Sequence, residues 1–183
     1  MNENNLNRRI YAQKVELLLR LVPIIMDEGV FAVHGGSAIN LFLKNLPRYS
    51  VDIDLTYIPL ADRATSIADI NLHLKSICEK AKRAFKGMHI VPKLDTCKLL
   101  CEYQGRQVKV EVNQTKRGIV GGGVLTLPLS DKAQNEFSLY CEAKIVPLTL
   151  LYGGKIAAAL SRQHPRDLFD VKYMDLPLSD CRE

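Results

Sequence analysis

The stretch that decides the fold is residues 31–58, FAVHGGSAINLFLKNLPRYSVDIDLTYI. A short apolar run at residues 30–33 predicts a strand, and Gly35–Gly36–Ser37 predicts a turn from it into a helix over residues 38–46. A second strand is predicted at residues 50–56, where apolar and polar side chains alternate. These elements predict an α/β (α+β) protein in which helices flank a mixed β-sheet.

Two aspartates share one face of the second predicted strand. Side chains alternate across a strand, so Asp52 and Asp54 lie on the face opposite Val51, Ile53 and Leu55. Aspartate is depleted in strands, and two neighbouring like charges repel each other, which indicates a cation bound between them. Carboxylate oxygens are the ligands of hard divalent ions. The pair therefore predicts a Mg²⁺ site, with Mn²⁺ as the alternative.

The glycine turn just upstream predicts a phosphate site. Gly35, Gly36 and Ser37 place backbone N–H groups at the start of a helix, where phosphate binds readily. The simpler interpretation is a tight turn with Ser37 as the N-cap, and for Asp52 and Asp54 it is the polar face of an edge strand. Both features in this order favour a nucleotide and a metal ion that meet at one place.

The remaining pattern predicts further helices and strands along the chain. Residues 118–123, GIVGGG, predict a flexible loop. The other predicted elements are a packing helix at about 6–28, a long helix at 61–86, a strand at 88–91, a hairpin of 98–103 and 106–113 turning at Gln104 and Gly105, extended segments at 124–127 and 137–146, and a helix at 149–162 followed by a helix start at Pro165.

Composition predicts one globular domain over residues 1–183, and the predicted elements divide it into the packing helix, a core at about 30–146 that contains the candidate catalytic motifs, and C-terminal helices at about 148–175. The chain is 47% hydrophobic and 25% charged, which argues against intrinsic disorder, and its net charge of +5 suits a polyanionic partner. Five cysteines without a C-x-x-C pair predict neither a disulfide framework nor a zinc site. With no signal peptide or membrane-spanning run in the sequence, we expect a cytoplasmic protein.

The motifs resemble a known enzyme superfamily. Gly35–Gly36–Ser37 followed by Asp52–Ile53–Asp54 in an apolar strand is similar to the signature of the nucleotidyltransferases related to DNA polymerase β. The sequence HGGSAINL, followed by YSVDIDL, is most similar to the corresponding motifs of the AbiEii-type toxins of type IV toxin–antitoxin systems. Members commonly continue into a larger C-terminal helical region, whereas this sequence stops at Glu183, which leaves three alternatives for the acceptor-binding surface: a compact protein, a truncated one, or one completed by a partner chain.

The superfamily resemblance implies a third acidic residue on a strand beside the aspartate pair. Glu111 is the candidate, because it alternates with Val108, Val110 and Val112 in the second arm of the hairpin. Glutamate there departs from the commoner aspartate. The alternative is an exposed alternation of Lys109 and Glu111 on a partly solvated strand.

A second motif, GGKIAAALSRQHPRDLFD, resembles the downstream AbiEii motifs that contain an essential lysine and aspartate. This resemblance implies Lys155 as a phosphate-contacting cation and Asp167 as the second-motif acid, with Asp170 as the alternative. Without it, Lys155 is a surface lysine, Asp167 a first-turn carboxylate favoured by the helix dipole, and Asp170 the ion-pair partner of Arg166.

The resemblance implies a metal-dependent nucleotidyltransferase that moves a nucleoside monophosphate from an NTP to an RNA hydroxyl, such as a tRNA 3′ end. It also implies a toxin neutralised by a cognate antitoxin. Two alternatives remain: a nucleotidyltransferase acting on a small molecule or a protein, and a non-catalytic module that binds a nucleotide or a partner on the same fold.

Overall fold

A computed structural model describes residues 3–119 and 123–174. The chain divides into two compact units, Met1–Pro147 and Leu148–Glu183. The first unit contains the sheet and the second contains the last two helices.

The first unit begins with alternating helices and strands and continues with a run of consecutive strands. Helix α1 (Glu3–Met26) is followed by strand β1 (Phe31–His34) and by helix α2, whose first turn at Gly35–Ser37 continues as a wider π-helical turn over Ala38–Leu43. The elements of the first unit are α1 (Glu3–Met26), β1 (Phe31–His34), α2 (Gly35–Ser37, then Ala38–Leu43), β2 (Asp52–Tyr57), α3 (Arg63–Ala84), β3 (His89–Lys93), a 3₁₀ turn (Leu94–Thr96), β4 (Lys98–Tyr103), β5 (Arg106–Val112), β6 (Leu125–Pro128), α4 (Asp131–Phe137) and β7 (Glu142–Ile145).

The strands form one seven-stranded mixed sheet in the order β3-β4-β5-β2-β1-β7-β6. β2 is central, antiparallel to β1 and parallel to β5. β7 runs parallel to β1, and the remaining neighbours are antiparallel. This arrangement confirms the predicted mixed sheet with flanking helices.

The apolar face of the sheet packs on α1 and α3. Strand alternation gives this face Ile53 and Leu55 from β2 and Val110 and Val112 from β5, all fully buried. Helix α1 packs against β5 and β7, and the ring of Phe31 contacts His73 of α3 edge-on, with centroids 6.0 Å apart. The opposite face is left for the polar side chains of the same strands.

The hairpin and the long helices agree with the prediction from hydrophobic spacing. β4 and β5 turn at Gln104 and Gly105, and α3 spans the predicted helix apart from two residues at each end. α1 begins and ends earlier than predicted and continues through Pro23 without a break. Residues 120–122 of the predicted glycine-rich loop, and residue 175 of the predicted C-terminal helices, lie outside the described ranges.

The prediction of an extended segment over residues 137–146 was wrong in its first half. Phe137 ends helix α4, Ser138 has a left-handed φ of 50°, and only Glu142–Ile145 forms a strand. The N–H of Lys132 in the first turn of α4 donates to Oδ1 of Asn45, 2.8 Å away. Asn45 lies far from Lys132 in sequence, so this contact is not visible locally, although Ser130 at the N-cap position and Asp131 in the first turn are local signals of a helix start.

The second unit consists of two helices, α5 (Leu148–Arg162) and α6 (Pro165–Lys172), which pack on each other. Pro165 occupies the first turn of α6, as predicted, since its missing N–H has no partner to lose there. Over the residues that the structure describes, no helix is both long and apolar enough to cross a bilayer.

Candidate active site

The turn from β1 into α2 lies against the carboxylate of Asp54. Gly35 has a φ of +67°, and a Cβ on this residue would lie 2.6 Å from Oδ2 of Asp54. A left-handed backbone and the absence of a side chain are both required here, so only glycine fits without strain. Glycine at position 35 therefore allows the turn to pack closely against Asp54 of β2.

Side-chain hydrogen bonds hold this turn in place. The buried hydroxyl of Ser37 donates to the backbone carbonyl of Asp52 and lies 3.0 Å from the hydroxyl of Ser50. Asn40, also buried, donates from Nδ2 to the carbonyl of Gly36 at 2.8 Å. Ser37 thus ties the helix start to β2 in this structure, and its predicted contact with phosphate remains a prediction.

Three predicted acidic residues come together on the polar face of the sheet. In the parallel ladder Asp54 is the partner of Glu111, and Asp52 is the partner of Lys109. Neighbouring strands lie about 5 Å apart, so these four side chains form a square on one face, with Lys109 at one corner. All four are half-buried.

Two lysines hold the carboxylate of Glu111. Nζ of Lys98 lies 3.1 Å from Oε1, and Nζ of Lys109 lies 2.9 Å from Oε2. Burial raises the pKa of Glu111, but the hydrogen bonds from Lys109 and Lys98 outweigh burial and bring it below its ordinary value. The pKa of Lys109 is raised, chiefly by its hydrogen bond to Glu111 and further by the charges of Asp52 and Asp54. Glu111 is therefore ionised at neutral pH.

The polar face fits a divalent cation at the aspartate pair. Asp52 and Asp54 offer carboxylate oxygens on one side of β2, and the space a Cβ would fill at Gly35 is left open beside Asp54. Within residues 3–119 and 123–174, however, no three His, Cys, Asp or Glu side chains already form a metal-binding group. Glu111 lies beside Asp54 on the same face of the sheet, but each of its carboxylate oxygens is bound to a lysine.

The two lysines were missed as site residues, although the sequence contains a signal for each. The alternation of Lys109 and Glu111 puts them on the same face of β5. The two-residue turn at Gln104 and Gly105 sets a hairpin register in which Lys98 pairs with Glu111. Both lysines follow from counting along the hairpin once its turn is identified.

The second predicted cluster forms within the helical unit. Nζ of Lys155 on α5 lies 3.0 Å from Oδ1 of Asp167 and 2.8 Å from Oδ2 of Asp170, both on α6. Arg162 adds a contact of 3.0 Å to the other oxygen of Asp167. Lys155 is 11% exposed and Asp170 is fully buried. The alternative of a surface lysine is therefore wrong, because Lys155 belongs to a buried ion-pair cluster with Asp167 and Asp170.

A comparison with known protein families identifies the chain's relatives. The sequence profile of the nucleotidyl transferase AbiEii toxins of type IV toxin–antitoxin systems matches residues 16–175. The chain belongs to the AbiEii family. The match includes strand β2 with the aspartate pair, the glycine turn, and the two helices that carry Lys155, Asp167 and Asp170. No curated protein matches the sequence significantly.

Membership of the AbiEii family confirms the resemblance seen in the motifs. Its members are nucleotidyl transferase toxins, and a toxin of this kind implies a cognate antitoxin. Within the first unit the structure brings Gly35, Asp52, Asp54 and Glu111 together, and within the second it brings Lys155 to Asp167 and Asp170.

Proposed function

We propose that this AbiEii-family chain is a metal-dependent nucleotidyltransferase that moves a nucleoside monophosphate from an NTP to a hydroxyl of RNA, with a tRNA 3′ end as the preferred acceptor. The reaction takes place in the cytoplasm, where NTPs and tRNA occur together. Its product is a blocked RNA, which accounts for toxicity and for the need of an antitoxin.

One observation carries the proposal: the contact between the glycine turn and Asp54. This close approach brings the start of α2 beside Asp54, which is next to Asp52 on the same face of β2 and is the ladder partner of Glu111. A triphosphate and its cation need this combination of N–H donors and carboxylates within a few ångströms of each other.

The aspartates are assigned to the cation and the turn to the phosphates. Asp52 and Asp54 hold Mg²⁺ or Mn²⁺, with Glu111 as the third acid from β5. Gly35 and Gly36 present N–H groups to the β- and γ-phosphates, and Ser37 either binds phosphate or keeps the turn on β2 through its bond to Asp52. A divalent cation supplies charge neutralisation on the leaving phosphates and a lower pKa for the attacking hydroxyl.

Phosphoryl transfer of this kind depends on positioning and electrostatics rather than on a protein nucleophile. The rigid strand β2 orients Asp52 and Asp54, since Ile53 and Leu55 between and beyond them are locked in the core. The hydrogen bond between Ser37 and Asp52 fixes the turn relative to that strand. The family resemblance further assigns Lys155 as a cation for the phosphates and Asp167, or Asp170, as the acid of the second motif.

The proposal is tested by following label from each of the four α-³²P NTPs into total RNA, with and without Mg²⁺. We expect wild-type protein to label a tRNA-sized band, and Asp52→Asn and Asp54→Asn to label nothing. Asp95→Asn, an exposed aspartate on the 3₁₀ turn, is the matched control and should retain full labelling.

The position of the label separates the alternatives. Label in protein or in an added small molecule, with none in RNA, would keep the nucleotidyltransferase and replace its acceptor. Tight binding of NTP without any metal-stimulated transfer would favour a non-catalytic binding module. In a bacterial host, expression of wild type but not of Asp54→Asn should arrest growth, and coexpression of the cognate antitoxin should restore it.

A further inference from the structure

Lys109 is the one positively charged member of the four side chains that form a square on the polar face of the sheet, beside three carboxylates. It stands directly across from Asp52 in the parallel ladder and two residues from Glu111 on the same face of β5. Its ammonium binds Glu111 at 2.9 Å, while the ammonium of Lys98 binds the other oxygen at 3.1 Å. Three carboxylates and two ammonium groups thus share one small area of the sheet.

Lys98 and Lys109 both bind the carboxylate of Glu111, but they differ in how close they lie to Asp52 and Asp54. In the hairpin, Lys98 is the cross-strand partner of Glu111, on the side of β5 away from β2. Lys109 lies on the β2 side of that pair and faces Asp52 across the ladder. Removal of Lys109 therefore changes the charge felt by all three acidic residues, whereas removal of Lys98 acts mainly on Glu111.

Resting on the proposed function above, we propose that Lys109 is a built-in counter-ion that substitutes for the divalent cation in the metal-free protein. It neutralises the polar face and draws Glu111 away from the aspartate pair. Divalent metal and the Lys109 ammonium then compete for the same three carboxylates, so that the protein alone binds metal weakly. Metal binding must release Glu111 from Lys109 before Glu111 can act as the third acid.

This competition predicts opposite effects of one substitution on two measurements. Without metal, Lys109→Gln leaves three carboxylates with less positive charge nearby, and the protein should melt at a lower temperature. With metal, the same substitution removes the competing charge, and binding should tighten. A lysine that only supports the fold would lower the melting temperature without any gain in metal affinity.

The experiment measures Mn²⁺ binding to the full chain in the absence of nucleotide, by the electron paramagnetic resonance signal of free Mn²⁺. We expect Lys109→Gln to lower the Kd about tenfold, because a unit charge a few ångströms from a divalent ion opposes its binding strongly in a partly buried site. Lys98→Gln should lower the Kd less. Lys93→Gln, an exposed lysine on β3, should leave it unchanged. Asp54→Asn should abolish binding.

Melting temperatures of the same variants, with EDTA and with Mg²⁺, provide the second measurement. The Mg²⁺-induced rise should be larger for Lys109→Gln than for wild type. If Asp54→Asn loses Mn²⁺ binding but Lys109→Gln binds no tighter than wild type, the inference is overturned and the proposed metal site stands. If neither wild type nor Lys109→Gln binds Mn²⁺ at millimolar concentration, the metal-dependent function itself fails, and this inference with it.

Discussion

A Cβ placed on Gly35 would lie 2.6 Å from Oδ2 of Asp54, so the glycine turn and the aspartate pair occupy one site rather than two neighbouring ones. The left-handed φ of +67° at Gly35 makes this approach available to glycine and costly for other residues. The antiparallel pairing of β1 with β2, which sets His34 opposite Asp54, brings the two motifs together.

Gly35→Ala should impair both folding and activity. An L-residue with this backbone costs on the order of 1–2 kcal/mol, and the added methyl group must also displace the Asp54 carboxylate. Gly105→Ala is a matched control, because Gly105 has a φ of +72° with nothing within 4 Å of its Cβ. Urea unfolding of both variants separates the crowding of Asp54 from the backbone cost.

We expect Gly35→Ala to be the less stable of the two variants and to lose about 100-fold in nucleotide transfer, as small misplacements of reacting groups commonly do. Gly105→Ala should remain active. Equal stability and equal activity of the two variants would show that Gly35 makes no functional contact with Asp54.

Lys155→Met should strongly destabilise the helical unit. The substitution leaves Asp170, whose side chain is fully buried, without the ammonium group 2.8 Å away. Removing one partner from a buried ion pair costs about 3–5 kcal/mol. Arg162→Met is the control, because the arginine side chain is 65% exposed and its pair with Asp167 should contribute less than about 1 kcal/mol.

Urea unfolding followed by circular dichroism measures both changes. A loss for Lys155→Met no greater than for Arg162→Met would contradict the buried cluster and return Lys155 to a surface position. Activity of Lys155→Met in low urea, where the variant is still folded, tests the separate assignment of Lys155 as a phosphate-contacting cation.

Much of this arrangement follows from the sequence, because β2 and the β4–β5 hairpin are decided by local alternation and by a two-residue turn. That Asp52 and Asp54 share a face follows from the two-residue period of a strand alone.

The partners of Lys155 could not be predicted in the same way, since Asp167 and Asp170 reach it only through the packing of α6 on α5. The start of α4 was missed although Ser130 at the N-cap position and Asp131 in the first turn signal it; the bond from Lys132 to the distant Asn45 is the part that no local pattern shows. α2 ends in a wide turn in which the N–H of Lys44 donates to the carbonyl of Ile39, and hydrophobic spacing alone does not distinguish this turn from an ordinary helical one.

Glu28 should make stability depend on acid pH. Its carboxylate lies 2.6 Å from Nδ1 of His73 and 2.7 Å from both Ser76 and Lys80, which ties the end of α1 to α3. Burial raises the pKa of Glu28, but these hydrogen bonds outweigh it and bring the pKa below its ordinary value. A lowered folded-state pKa stabilises the fold fully above the unfolded value of about 4.3, and this contribution is lost as pH falls through the folded value.

Glu28→Gln should therefore cost on the order of 1–3 kcal/mol at pH 7, and the cost should shrink as the pH falls through the lowered folded-state pKa and the wild-type carboxylate takes up a proton. Free energies of unfolding from urea titrations between pH 3 and pH 7 measure the difference. Glu79→Gln, an exposed residue of α3, serves as the control and should change stability little at any pH. A cost for Glu28→Gln that stays constant over this range would contradict the ionised network.

The most direct test of the central claim is the Mg²⁺-dependent transfer of label from α-³²P NTP to RNA by wild type, Asp52→Asn and Asp54→Asn at equal concentration. Both variants should fold like wild type, because each substitution removes a negative charge from a crowded face, and both should lose at least about 100-fold in rate, since a catalytic metal site contributes several kcal/mol. Wild-type rates of transfer in either variant, or transfer that is unaffected by EDTA, would contradict a metal site at Asp52 and Asp54.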